Sequence, residues 1–207
     1  MDRPTIVSAA LELLEETGLD GLTTRRLAAR LQVKSPALYW HFRSKQELLD
    51  EMAGAVQERQ DLGPPREGEH WRDWLARRAR ERRRVLLSHR DGARLVAGSS
   101  AGPEAVAAFE RELAALAERG FTPLQAMRAI TALGAFVSGF VLEEQARLGR
   151  GHPPGPGRAE ASPVLAAAIG EGGSPDGPEA FEDGLAYLLD GIGAALSAGA
   201  PGRPPER

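Results

Sequence analysis

The sequence predicts an all-α protein, and three observations carry that expectation. Alanine, leucine, arginine and glutamate dominate while only 5% of residues are aromatic, a balance that favours helix over strand. Apolar residues recur at helical spacing through most of the chain, and no segment reads convincingly as a strand. The stretches between are punctuated by Ser, Thr or Pro ahead of a helix and by Gly or Pro behind it.

The elements follow in order. TIVSAALELLEE, behind Pro4, is the first helix: Ile6, Val7, Ala10, Leu11 and Leu14 share a face, and Gly18 is expected to stop it. Thr23 or Thr24 caps the second, TRRLAARL, with Leu27, Ala28 and Leu31 inward and Arg25, Arg26 and Arg30 outward. After a turn at 32–34, Ser35 caps and Pro36 opens a very short third helix that ends near His41. Ser44 and Glu47 make a capping box for the fourth, KQELLDEMAGAVQERQ, which Gly63-Pro64-Pro65 breaks. An arginine-rich helix then runs from about 69 to 89, followed by a glycine-containing turn and a helix from about Pro103 to before Gly120. Thr122-Pro123 opens PLQAMRAITALGAFVSGFVLEEQARL, which is apolar nearly all round and so must be buried on several sides or pack on another chain. A Pro/Gly-rich segment at 149–162 reads as a mobile loop. A short helix near 163–170, a glycine-rich break, the amphipathic EAFEDGLAYLLDGIGAALSA and a proline-containing tail at 201–207 complete the chain.

At 207 residues the chain is long enough for a sizeable core. It has no cysteine, which removes disulfides and thiolate metal sites, and no signal-like N-terminus, so a cytoplasmic protein is expected. No apolar run is expected to reach the length of a membrane span. The net charge of −3 excludes a uniformly basic nucleic-acid binder, but its placement is uneven. Residues 21–46 carry Arg25, Arg26, Arg30, Lys34, Arg43 and Lys45 with no acid among them.

Inside that basic block, SPALYWHF crowds three large amphipathic rings into one short helix. Leu38 and Phe42, four apart, can face the core, which leaves Pro36, Ala37, Tyr39, Trp40 and His41 outward. Taken alone, Tyr39 and Trp40 fit core packing as well as contact. Two short helices joined by a tight turn, with positive charge around them, are what a helix-turn-helix reader of the major groove needs. On that reading Tyr39 and His41 bond phosphates or base edges, Trp40 donates its indole N–H to a phosphate, and Ala37 admits a thymine methyl. Arg25 makes a bidentate contact to guanine, Thr24, Lys34 and Lys45 clamp phosphates, and Ser35 and Pro36 open the reading helix against the DNA.

LTTRRLAARLQVKSPALYWHFRSKQELLD resembles the DNA-binding domain of the tetracycline-repressor family, whose mark is a tyrosine and histidine closing the recognition helix and a lysine opening the next. EGEHWRDWLARRARERRRVLLSHRDGARL and GFTPLQAMRAITALGAFVSGFVLEEQ are similar to the regulatory core of tetracycline-responsive members. The resemblance implies a ligand-responsive repressor that binds a palindromic operator as a homodimer and is released by a small molecule. It implies a head at 1–47, a connecting helix at 48–65 and a ligand-binding and dimerisation core at 66–200. Helices at about 123–147 and 178–198 would form an intersubunit four-helix bundle. No cofactor, no membrane partner and no catalytic role are implied.

The pocket that the resemblance implies departs from the family pattern. Val96 stands where a metal-binding histidine is expected, and only the glutamate, Glu143, is kept. Asp61 replaces a histidine, Arg78 an asparagine, Arg82 an aromatic residue, Ser100 an arginine, Glu112 a glutamine and Ala135 a histidine. With Trp74, Ser99 and Phe136 these complete the candidate ligand-binding set, which points to a small hydrophobic or aromatic inducer other than tetracycline and to no metal site. On the helical wheel, Arg78 and Arg82 line up with Trp71, Trp74, Leu75, Val85 and Leu86, whereas Arg77, Arg80, Arg83 and Arg84 lie mostly elsewhere. A buried guanidinium needs a carboxylate, from Glu112 or Glu143, or an anion from outside.

Catalytic readings are weak. Ser88, His89 and Asp91 read as a helix end, because triad members meet through folding and not as sequence neighbours. The rival non-enzymatic reading is a ligand-independent architectural DNA binder, which a core without a cavity would betray.

Overall fold

The computed structural model describes residues 1–60, 63–100, 102–150, 162–172 and 177–198. Ten helices and no strands occur among them. The expected mobile loop at 149–162 falls mostly outside the described residues, as do the second glycine-rich break and the tail.

The head is α1 (Arg3–Gly21), α2 (Thr24–Arg30), α3 (Ser35–Leu38) and the start of α4 (Lys45–Glu58). Asp2 caps α1 by accepting from the Thr5 amide. Gly18 does not end this helix but kinks it: at φ +69° it breaks the helical run, and three more residues follow. The kink has a use. It turns the Leu19 amide to Asp91, whose Oδ2 accepts at 2.8 Å, and a Cβ at position 18 would lie 2.9 Å from that same oxygen. Thr23, not Thr24, caps α2 by accepting from Arg26 N. The α2–α3 turn places Gln32 at φ +56°.

Ser35 is the first residue of α3 and not its cap; Lys34 takes that position without a side-chain bond. The helix closes at Leu38 and not near His41, because the amides of His41 and Phe42 both turn back to the Leu38 carbonyl. Ser44 caps α4 by accepting from Glu47 N, and Glu47 in turn accepts from the Arg43 amide at 2.6 Å. That bond, followed by one from Arg3, holds the Glu47 carboxyl below its ordinary range.

The core comprises α5 (Trp71–Leu87), α6 (Gly92–Ala97), α7 (Pro103–Ala117), α8 (Pro123–Arg150), α9 (Pro163–Gly172) and α10 (Pro178–Ala198). α5 is central, packing on α8 and α10 and also on α4 and α6. Trp74, Leu75, Val85 and Leu86 are almost fully buried, as the apolar stripe requires. Along α8, Ala126, Ala129, Leu133, Val137 and Val141 form the buried stripe, while Leu124, Met127 and Leu142 stay exposed on this chain. Contrary to expectation, α8 is long and apolar enough to cross a membrane by length and composition, over Pro123–Leu148. Apart from Arg128 near its start, its charges lie at 143–150 and so leave the middle of the helix uninterrupted.

Head and core meet through α1, α4 and α6. His89 Nδ1 lies 2.8 Å from Glu15, Arg90 bonds Glu15 and the Glu16 carbonyl, and Arg94 pairs with Asp20. The neighbours Ser88, His89 and Asp91 therefore point to different partners. Ser88 bonds the Val85 carbonyl, and the other two tie the core to the head.

Candidate DNA-reading head and ligand cavity

α3 is a single turn held from below. Leu38 and Phe42 are buried in the head core, and α2 packs beside it. Pinning those two side chains turns Tyr39 and Trp40 to solvent, at 54% and 89% exposure, which removes core packing as their explanation. Pro36 is exposed as well, whereas Ser35, Ala37 and His41 are half-buried. Arg25, Lys34 and Lys45 are exposed, and Thr24 is partly covered. Among the described residues Arg25, Lys34 and Arg43 form no ion pair; Arg30 is different, since Glu12 and Glu16 hold it at 2.9 and 2.8 Å. The basic block thus contains free cations aimed outward and one cation used to brace α2 on α1.

Between α4, α5, α7 and α8 lies a cavity of about 1440 Å³. Trp74, Arg78, Arg82, Ser100 and Glu112 from the expected set line it, with Phe109, Ile130, Leu133 and Val137 supplying apolar wall. A ligand-independent architectural protein has no need of such a cavity. Arg78 bonds Glu112 at 2.5 Å and lies over the Trp74 ring. Burial drives the Glu112 carboxyl up and the Arg78 guanidinium down, and each is offset by the other's charge. Arg82 is pushed down by burial and then by the like charge of Arg78. It finds only Ser138 Oγ, at 3.3 Å.

Other expected pocket residues lie elsewhere. Val96 is buried on α6 among apolar neighbours, and Ser99 spends its hydroxyl on the Val96 carbonyl. Phe136 stacks on Phe181 at 5.4 Å in the α8–α10 contact, and a Cβ on Gly184 would come within 2.8 Å of its ring. Ala135 and Glu143 are exposed on α8, and Glu143 is no partner of Arg78 or Arg82. Ala135, Phe136 and Glu143 all lie on α8, where a sequence apolar nearly all round gives no phase from which to tell the faces. Asp61 lies outside the described residues. Arg77 and Arg83, set apart from the inward face on the wheel, are also largely covered, because Glu69 and Glu144 draw them in. Several lining residues lie outside that expected set, Phe109 and Gln60 among them. Phe109 sits one helical turn before Glu112 and shares its face, a usable signal, whereas the buried Gln60 carried none.

Two family models match the chain: "Bacterial regulatory proteins, tetR family" over residues 6–52 and "Tetracyclin repressor-like, C-terminal domain" over residues 64–196. The chain belongs to the tetR family. The tetracycline repressor protein class A from transposon 1721 of Escherichia coli is 44% identical over 192 residues, which cover 91% of this chain and 88% of that protein. A possible TetR family transcriptional regulator from Streptomyces coelicolor A3(2) superposes with a TM-score of 0.80 at 40% identity, covering 94% of this chain and 100% of the other. A class A TetR in complex with 5a,6-anhydrotetracycline and magnesium gives a TM-score of 0.72 at 40% identity, covering 94% and 99%. The tetR family comprises ligand-responsive DNA-binding repressors, which are regulators and not enzymes. The residues present here do not fit a family-type magnesium site. Val96 has no donor atom, Glu143 stands alone, and no group of three or more His, Asp or Glu suited to a metal exists among the described residues.

Proposed function

We propose that this chain acts in the cytoplasm as a homodimeric repressor, binding a near-palindromic operator through α3 and released when a small hydrophobic or aromatic molecule fills the cavity. The observation that carries the reading is the exposure of Tyr39 and Trp40 on a helix locked beneath by Leu38 and Phe42. Rings of that size left in water on a basic head are placed for contact with another molecule. Tyr39, Trp40, His41 and Ala37 read or clamp the DNA with Arg25, while Thr24, Lys34, Ser35, Pro36 and Lys45 hold its backbone. The exposed apolar residues of α8, with α10 beside it, are the surface that a second copy covers.

The head occupies 1–47, the connecting helix 48–65 and the core 66–200. A ligand that favours one arrangement of the core acts on the head through α4 and α6, changing the spacing of the two reading helices. Half-site centres should lie about 34 to 36 Å apart, or a multiple of that. The test is to recover an operator by selection from random duplexes and follow it by fluorescence anisotropy. Two-fold symmetric sites bound by a dimer in the ultracentrifuge support the reading; a monomer with no site preference sinks it. Tetracycline with magnesium should leave the complex intact, whereas some other aromatic compound should dissociate it.

A further inference from the structure

α5 carries seven arginines, and six of them meet a carboxylate: Arg72 with Asp190, Arg77 with Glu69, Arg78 with Glu112, Arg80 with Glu182, Arg83 with Glu144 and Arg84 with Glu81. Arg82 has none among the described residues. Its hydrogen bond to Ser138 uses one Nη2, and its buried Nε has no partner. A guanidinium stays charged at any pH that a folded protein survives, so burial cannot neutralise it. Placing it without a counter-charge is costly unless something else supplies one.

The other unpartnered atoms point to the same place. The buried side-chain polar atoms that lack a partner among the described residues are Arg3 Nε, Gln60 Nε2 and Oε1, and Arg82 Nε, and all three residues line the one cavity. Buried polar groups in folded proteins are almost always satisfied, by protein or by water, so unpartnered atoms on residues that line one cavity are available to a molecule bound there. No acid that lines the cavity bonds Arg82, although the Glu112 charge beside it offsets part of its burial. Glu112 is engaged by Arg78, Glu47 and Glu51 by Arg3, and Asp50 by the Ser100 amide, while Glu58 is exposed.

We propose that Arg82 receives the carboxylate of an aromatic inducer whose rings lie against Trp74, Phe109, Leu133 and Val137, with the Gln60 amide as a further polar contact. Two guanidiniums, Arg78 and Arg82, stand beside one committed carboxylate, Glu112, a local excess of one positive charge in a lining that otherwise carries Arg3 and Arg111 against Glu47, Asp50, Glu51 and Glu58. A planar fork takes a carboxylate through two parallel N–H···O bonds, and those bonds are strongest where water is excluded. The inference rests on the repressor reading above for calling the ligand an inducer; the binding chemistry itself does not.

The test uses a matched pair of probes, 2-naphthoate and 2-naphthamide, titrated calorimetrically into the full-length protein at fixed salt. Equal ring area isolates the charge. The naphthoate should bind at least about ten-fold more tightly, as a charge-assisted bond to a partly buried guanidinium requires. Arg82→Met should bind both probes alike and melt no lower than the parent chain, since no carboxylate is bonded to the group removed. Arg82→Lys, which keeps the charge and loses the fork, should retain part of the preference. Equal binding of the two probes by the parent chain, binding of neither, or a preference that survives in Arg82→Met would each overturn the proposal. A loss of melting temperature in Arg82→Met as large as that in Arg78→Met would also overturn it, by exposing an internal partner. Operator binding, followed separately by anisotropy, keeps the two ideas apart: DNA bound with no carboxylate preference leaves the repressor reading standing and removes this one. A carboxylate preference in a chain that ignores DNA does the reverse.

Discussion

The head and α5 are both rich in cations, yet they use them in opposite ways. Arg25, Lys34 and Arg43 form no ion pair among the described residues, whereas six of the seven arginines of α5 are matched by carboxylates, most of them on other helices. Positive charge along a sequence therefore does not locate a nucleic-acid surface; the absence of acids in space does. The arginine-rich helix is neutralised from within and serves as a scaffold, and the shorter block in the head keeps its charge for something outside.

The largest expected effect breaks the core side of that contrast. Arg78→Met leaves Glu112 buried and unpaired, and should destabilise the fold by about 3 to 5 kcal/mol. Melting measured by calorimetry should fall sharply, and Arg78→Met with Glu112→Leu should recover most of the loss, because a buried pair replaced by apolar groups is close to neutral. If the single change is harmless, α5 is not neutralised by pairing in the way argued. On the head side, Arg25→Ala should cost about 1 to 3 kcal/mol on the selected operator and little on random duplex, as a base contact does. Equal losses on both would move Arg25 from reading to clamping.

A smaller effect sharpens the contrast within the head itself. Lys34→Ala should weaken all duplexes alike and lower the slope of log affinity against log salt by about 0.9, the contribution of one phosphate. Arg30→Ala, whose guanidinium is already held by Glu12 and Glu16, should leave that slope unchanged. The smallest effect is one of pH. Hydrogen bonding by Arg77 holds the Glu69 carboxyl at about 2, against an ordinary value of 4.5. A carboxyl whose pKa is depressed on folding contributes stability above its unfolded pKa and loses it as pH falls through the folded one. Melting temperature should thus fall from about pH 4.5 towards 2, and Glu69→Gln should remove part of that decline.

Much of this was legible in the sequence because helix ends are written locally. Thr23, Ser44 and the Thr122-Pro123 pair announce their helices within four residues, and the four-residue spacing of Ile6, Ala10 and Leu14 gives the face. The Arg78–Glu112 pair was also within reach, since both the wheel and the need for a counter-charge point to it. What stayed hidden is non-local. Nothing near Arg80 or Arg72 foretells Glu182 or Asp190, which lie about a hundred residues away on α10. The face of α8 that carries Phe136 is not legible because that helix is apolar nearly all round, and Gly18 signals a stop in the sequence but makes a kink in the structure because the two ask for the same residue.

That glycine gives the molecule a built-in reporter. The Leu19 amide belongs to the head's first helix, but its acceptor, Asp91, belongs to the core, so its protection against hydrogen exchange depends on two bodies staying in register. Most backbone amides of α1 are shielded by their own helix and would be blind to a shift of α6. Leu19 would exchange faster as soon as Asp91 withdrew, making one peptide proton a clock for the moment at which the core lets go of the head.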